Sequence, residues 1–334
     1  MNMKQWINDM AASPRKRALP ILSFPSIQLI HTTVRELIAS PDTQADGMKK
    51  IADRLDSAAS VSMMDLSVEA EAFGSTVTVT DHEIPAVTGH IISTEQEAMD
   101  LAIPDLRTAR TGLYVEAIRK ACTLITDRPV LAGTIGPFSL AGRLLDVTEI
   151  MMLCYDEPDM VHTVLEKATK FLIGYALAYK EAGAGGVVVA EPLAGLLSPA
   201  LMKEFAAPYM KQLVDAVQDD DFIVVYHNCG GAVPRLVDSI VSCGAMAYHF
   251  GNAVDMKLML EKMPDDVVVM GNIDPVAQLT EGTPEGTYAA TKELLERCSE
   301  HRNFVISTGC DVPPHANWDN IDAFFRAVED FYSK

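Results

Sequence analysis

The hydrophobic pattern of this chain switches repeatedly between two periods. Short apolar runs rich in Val, Ile and Ala, at 129–135, 186–190, 222–226, 246–250, 267–270 and 304–307, read as buried strands. Between them the apolar positions return every three or four residues, which predicts helices over 108–123, 233–242, 254–263, 285–300 and 320–332. Three helical stretches fill the interval up to Ala182, with Glu157-Pro158 opening the last. Ser198-Pro199 offers the cap and first-turn proline of another. Nearer the N-terminus, runs at 18–24 and 61–65 read as two further strands, and 26–39, 44–59 and 95–101 as helices, with Pro41-Asp42 as a break. Residues 68–92 depart from the rhythm. Thr76 to Thr80 alternates polar and apolar side chains, as an exposed hairpin does.

Apolar strands separated by amphipathic helices imply parallel pairing through crossovers. About eight such units predict an α/β protein, a (β/α)8 TIM barrel, with the 68–92 hairpin as an N-terminal excursion near the barrel mouth and a candidate lid. An open doubly wound sheet is the competing architecture, but no G-x-G-x-x-G follows the first strand. No internal repeat or low-complexity tract divides the chain, so residues 1–334 are expected to form a single barrel domain.

Composition narrows the function classes. With 27 basic and 46 acidic residues the formal net charge is -19, the opposite of a nucleic-acid or anionic-membrane footprint. Residues 1–20 contain the basic cluster Arg15-Lys16-Arg17 without a following apolar segment, which predicts no secretory signal, and no apolar run approaches a membrane span. Six cysteines without disulfide-like spacing fit a reducing cytoplasm.

Chemistry concentrates at the C-terminal ends of the expected strands, where a barrel of this type builds its active site. Those ends carry Asp65, Gly136-Pro137, Glu191-Pro192, His227-Asn-Cys229, His249-Phe-Gly-Asn252, Gly271-Asn-Ile-Asp274 and Gly309-Cys310-Asp311. In a strand, residues two apart share a face, so His227 and Cys229 reach one point, and Cys310 leaves a second strand in the same manner. One nitrogen and two sulfurs are ligands that zinc favours, and three protein ligands leave the open fourth position of a catalytic site. His227, Cys229 and Cys310 are therefore the expected metal ligands and catalytic centre. Glu191, Asn252, Asn272 and Asp311 are the candidate substrate-binding residues; Glu191 and Asp274 are equally suited to capping a following helix. His249, at a strand end where it can equally face the helix layer, is left out of the ligand set. His315, beyond two prolines, is a further candidate of unknown direction. Cys122, Cys154, Cys243 and Cys298 fall in or beside predicted helices and read as packing residues.

Zinc held by two thiolates is electron-rich. Such a centre suits binding a substrate thiol as its thiolate better than making hydroxide, which favours alkyl transfer to sulfur over hydrolysis.

Several segments carry a resemblance: 68–74 (Val-Glu-Ala-Glu-Ala-Phe-Gly), 136–142, 198–209, His227-Asn-Cys-Gly230, Gly271-Asn-Ile-Asp-Pro275 and 307–314 (Ser-Thr-Gly-Cys-Asp-Val-Pro-Pro). In them the chain resembles the uroporphyrinogen decarboxylase superfamily, and within it the methylcobamide:coenzyme M methyltransferase branch. The resemblance implies a (β/α)8 barrel and a His-x-Cys…Cys zinc motif, matched at His227, Cys229 and Cys310. It also implies a corrinoid, methylcobalamin, brought by a small partner protein docking over the barrel mouth, with coenzyme M or another small acceptor or donor as substrate, in one-carbon metabolism. Two alternatives accompany it. One is a metal-free porphyrinogen decarboxylase, although that enzyme's arginine-rich N-terminal segment is not matched by Arg15, Lys16 and Arg17. The other is a non-catalytic module that docks a corrinoid protein.

Overall fold

A computed structural model describes residues 1–333. Seven parallel strands form one curled sheet: β1 (Ser60–Val61), β4 (Val130–Ile135), β5 (Gly186–Ala190), β6 (Ile223–Asn228), β7 (Ala247–Phe250), β8 (Val268–Ile273) and β9 (Phe304–Thr308), hydrogen-bonded in that order. Two further strands, β2 (Thr76–Thr78) and β3 (Ala86–Thr88), pair antiparallel as the expected hairpin.

Residues 18–24 occupy the eighth position of the barrel without becoming a regular strand. The Leu19 amide donates to Ile306 O at 3.0 Å on β9, and the Ala58 amide donates to Ala18 O at 2.8 Å on the approach to β1, so the segment spans the gap between the sheet's two edges. The expected strand fails at Pro20, which has no N–H to give to a ladder. The second expected strand, 61–65, is likewise shortened. Past Val61 the Ser62 hydroxyl accepts from the Gly133 amide at 2.9 Å in place of a carbonyl.

Parity along the strands separates two cores. Leu131, Val188, Ala190, Ile223, Val225, Ala247, Val268, Met270 and Val305 point into the barrel, whereas Val187, Val189, Val224, Tyr226, Tyr248 and Phe304 pack against the surrounding helices. A helix not anticipated in the sequence, Met3–Ala12, closes the barrel at the N-terminal ends of the strands, with Met3, Ile7 and Met10 buried among the interior set. Its first amides, of Met3 and Lys4, donate to Asp220 O at 2.7 and 3.0 Å, just ahead of β6.

Two helix boundaries differ from expectation for local reasons. The helix expected over 26–39 divides into Ser26–Ile30 and Val34–Ala39, because Thr33 and Glu36 form a capping box that starts a second helix after His31 takes a left-handed conformation (φ 53°). Pro41-Asp42 opens the next helix, Pro41–Arg54, instead of breaking one, with the Ser40 side chain accepting from the Thr43 amide. No helix among the described residues is long and apolar enough to cross a membrane.

Candidate metal centre

β6 delivers the first two functional side chains. Ile223, Val225 and His227 share the interior face, and the strand ends one residue before Cys229. Backbone packing then fixes the turn. A Cβ on Gly230 would lie 2.7 Å from Gly195 Cα, and one on Gly251 would lie 2.5 Å from both Cys229 Cα and Cys229 Cβ, so neighbouring main chains approach as closely as glycine permits. The Gly251 amide donates to Asn228 O at 3.0 Å and ties the two strand ends together. Cys310 comes from the turn after β9. That turn is anchored by the Gly309 amide on Ile273 O (2.6 Å), by the Val312 amide on Ile21 O (3.0 Å) and by the Asp311 carboxylate, which accepts from the Met64 amide at 2.8 Å.

In the fold a ring nitrogen of His227 and the sulfurs of Cys229 and Cys310 all lie within 4.8 Å of one another. Cys310 Sγ stands 3.7 Å from His227 Nε2. Ligand atoms on a tetrahedron with bonds of about 2.0–2.3 Å stand roughly 3.5 Å apart, so this donor set has the size and the softness of a zinc site. The two thiols lie close together, and their interaction lowers the Cys229 thiol, with His227 assisting, while the same interaction and burial push Cys310 up. Without a metal the pair thus keeps one proton between two sulfurs, and a cation takes its place when both become thiolates.

His249, set aside in the sequence reading, is the element that orients His227. It shares the interior face with Ala247, and its Nδ1 lies 2.8 Å from His227 Nδ1. Its Nε2 lies 2.7 Å from the Ser307 hydroxyl, which in turn donates to Leu19 O at 2.7 Å. The proton assignment follows from the ends of this chain. Ser307 spends its proton on a carbonyl, so it accepts from His249 Nε2–H. Burial holds the His249 pKa well below its usual value, so the ring is neutral and its Nδ1 accepts from His227 Nδ1–H. His227 Nε2 is left with its lone pair facing Cys310. The period-two parity with Ala247 carried this information, but the pairing across the barrel did not exist in the sequence.

The candidate substrate residues divide. Glu191 has the parity of Val187 and Val189, so it faces the helix layer; its oxygens accept from the Phe138 and Ser139 amides (2.9 and 3.0 Å) and the Ser139 hydroxyl (2.7 Å). It caps the helix Pro137–Leu145, and this correction to the substrate reading was readable from strand parity. Burial raises its pKa to about 7. Asn272 donates to Gly251 O and Val254 O (2.9 and 2.8 Å), which commits its amide to the loop behind Cys229 instead of to a ligand. Asn252 is exposed and donates to Asp274 Oδ2 at 2.8 Å, and Asp274 Oδ1 accepts from the Val276 and Ala277 amides in a local cap. Asp311 spends one oxygen on Met64; the other is buried without a hydrogen-bond partner, and burial pushes its pKa up to about 8. His315 lies outside the triad, its ring 5.5 Å from that of His82 at the tip of the β2–β3 hairpin.

A second polar cluster, absent from the sequence reading apart from Asp65, stands at the end of the 60–65 segment. Asp65 accepts from the Tyr114 hydroxyl at 2.6 Å and the Ser67 hydroxyl at 2.6 Å and is ion-paired to Arg110, which also pairs with Glu71. Arg110 arrives from a loop, so no periodicity announced it. Among the packing cysteines, Cys154, Cys243 and Cys298 are buried and Cys122 is half-buried, and burial raises all four thiols.

Comparison with known proteins places this arrangement. The chain is 28% identical over 323 residues to the methylcobamide:CoM methyltransferase MtbA of Methanosarcina mazei, covering 90% of this chain and 92% of that protein. It is 27% identical over 256 residues to a uroporphyrinogen decarboxylase of Coxiella burnetii, covering 73% of this chain and 69% of the enzyme. A solved methyltransferase from Methanosarcina mazei shares the fold with a TM-score of 0.86 at 23% identity, covering 99% of both chains. The family model for uroporphyrinogen decarboxylase (URO-D) matches residues 22–331, and with nearly the whole barrel inside that match the chain belongs to the uroporphyrinogen decarboxylase family.

Proposed function

We propose that this protein is a zinc-dependent methyltransferase that moves a methyl group between a corrinoid, carried as methylcobalamin on a small partner protein, and a small thiol such as coenzyme M. The observation that carries this reading is the convergence of buried His227 and half-buried Cys229 and Cys310 from two strand ends, those of β6 and β9, onto one point. The similarity to a named methylcobamide:CoM methyltransferase over most of both chains supports it. His227 Nε2 and the two sulfurs would hold the ion. Zinc in such a set supplies the Lewis acidity that lowers the pKa of a thiol in its open fourth position.

The remaining work falls to the chain. The Leu19–Ser307–His249 relay keeps His227 in the tautomer that presents Nε2. The glycine contacts around Cys229 fix its direction before any ligand arrives, which is the preorganisation a methyl displacement requires. The Asp311 carboxylate, accepting from the Met64 amide, anchors the turn that carries Cys310. A site that needs two reduced thiols suits the cytoplasm as the compartment.

The decarboxylase reading has a specific obstacle. Arg15-Lys16-Arg17 lies at the N-terminal ends of the strands, where Lys16 Nζ donates to Arg302 O and Phe304 O (2.5 and 2.8 Å), on the opposite end from the triad. Those cations do not reach a porphyrinogen bound at the mouth. The test is zinc content on protein purified without chelator, followed by methyl transfer from methylcobalamin. About one zinc per wild-type chain, lost in His227→Ala and Cys310→Ala together with thiol methylation, is the expected result; a metal-free wild type would return the chain to decarboxylase or docking roles.

A further inference from the structure

Basic residues are scarce in this chain, 27 against 46 acidic, yet five of them line one cavity of about 480 Å³. Arg15, Lys16 and Arg17 come from the segment that leads into the eighth barrel position, Arg54 from the end of helix Pro41–Arg54 and Arg326 from helix Trp318–Tyr332. Only three carboxylates, Asp56, Asp322 and Glu329, line the same space. Five cations against three anions leave two positive charges in excess, in a chain whose formal net charge is -19. The cavity lies at the N-terminal ends of the strands, away from the metal centre. There Lys16 Nζ donates to Arg302 O and Phe304 O at the start of β9, and Ala18 O accepts from the Ala58 amide ahead of β1.

Two of the five cations have no carboxylate partner among the described residues. Lys16 is buried and holds the two backbone carbonyls alone; burial lowers its ammonium to about 8, with no carboxylate opposing the shift. Arg326 is exposed and makes no hydrogen bond or ion pair among the described residues. Its guanidinium carbon stands 5.6 Å from the centre of the Tyr288 ring, a stacking that leaves the N–H donors open. The other three have partners at the surface: Arg15 with Glu329 at 3.7 Å, Arg17 with Asp56 at 3.2 Å, and Arg54 with Asp322. Exposed pairs of this kind contribute little to stability, so a better-placed anion can take over their donors.

Charge and lining together define what fits. A phosphate monoester carries about two negative charges near neutral pH, which matches the excess, and its oxygens suit the forked donors of a guanidinium. Beside the cations, Leu55, Phe325, Val328 and Tyr332 form an apolar wall against which an organic body can rest. The volume falls within the range of about 300–1,000 Å³ typical of small-molecule sites. We propose that this cavity is a second ligand site, which binds the phosphate monoester of a small molecule with a flat apolar body, the class of a nucleoside monophosphate. None of its residues belongs to the metal centre, so the assignment is independent of the methyl-transfer reading. When occupied, the site joins residues 15–18 to the C-terminal helix and stabilises the folded chain by mass action.

Calorimetric titration and thermal melting of the full chain with AMP, adenosine, ribose 5-phosphate and inorganic phosphate test this. Expected is one AMP bound per chain with a raised melting temperature, and affinity at least about tenfold lower for the other three, each of which lacks the phosphate or the flat body. Arg326→Gln breaks no ion pair; it should weaken AMP about 10–100-fold, the range of one charged hydrogen bond, and leave the melting temperature without ligand unchanged. Glu329→Gln, which frees Arg15, should tighten AMP. Ribose 5-phosphate or inorganic phosphate binding as tightly as AMP would leave an adventitious anion contact only and overturn the proposal. Absence of AMP binding overturns it too, as does wild-type affinity in Arg326→Gln, which would put the nucleotide elsewhere on the molecule.

Discussion

At the residue scale the centre depends on side chains that never touch the metal position. Ser307 and His249 act in series, each fixing the hydrogen of the next, until His227 has one usable lone pair. Outer-shell partners of ligating histidines typically contribute 10–100-fold in metal affinity. Ser307→Ala should therefore weaken zinc binding by about tenfold, and His249→Ala by more, with Cys229 and Cys310 intact. Competition against a chromogenic chelator measures this directly; wild-type affinity in both variants would show that His227 needs no partner. His249 also illustrates how a residue can be visible in the sequence and still be unreadable. Its parity placed it on the barrel interior, but a neutral acceptor and a protonated donor are distinguished only by the company each nitrogen keeps.

At the scale of elements, two buried glutamates join neighbouring pieces of the barrel top. Glu191 of the β5 end caps the helix after β4. Glu69, on helix Val68–Ala72, accepts from the Thr134 hydroxyl at 2.6 Å and the Ile135 amide at 3.3 Å, with its second oxygen buried and unpartnered. Burial raises the Glu69 pKa to about 7, above the ordinary glutamate value of about 4.3. Between those values the folded state holds a proton that the unfolded chain has released, so stability falls as pH rises through the window. Glu69→Gln, which keeps the shape and removes the charge, should flatten that fall. Urea midpoints at pH 5.5 and 7.5, wild type beside variant, provide the comparison, and parallel pH slopes would contradict a protonated Glu69.

At the scale of the whole molecule the proposed ligands clamp distant parts of the chain. His227 and Cys310 are 83 residues apart and leave β6 and β9, strands separated in the sheet by β7 and β8. An ion bound across them stabilises the folded state by mass action, because no such site exists in the unfolded chain. Removing zinc with a chelator should lower the melting temperature of the wild-type protein by several degrees, on the order of 1–2 °C per kcal/mol lost for a chain of this size. Readdition should restore it, and Cys310→Ala should melt at one temperature with or without zinc.

The sequence by itself determined the strand and helix alternation, the barrel, the hairpin at 76–88 and the presence of His227, Cys229 and Cys310 at strand ends. These follow from periods of 2.0 and 3.6 and from chain direction, which are local properties. It also held clues that went unread: Pro20, which interrupts the eighth strand, Thr33 with Glu36, which starts a helix, and the parity of Glu191. The tertiary structure decided everything that depends on which strand ends become neighbours. Only the closed barrel brings Ser307 to His249, Arg110 to Asp65 and the Cys229 turn against Gly251. The physical reason is that protonation, ion pairing and desolvation act over a few ångströms of space, and residues far apart in sequence acquire such neighbours only when the barrel closes.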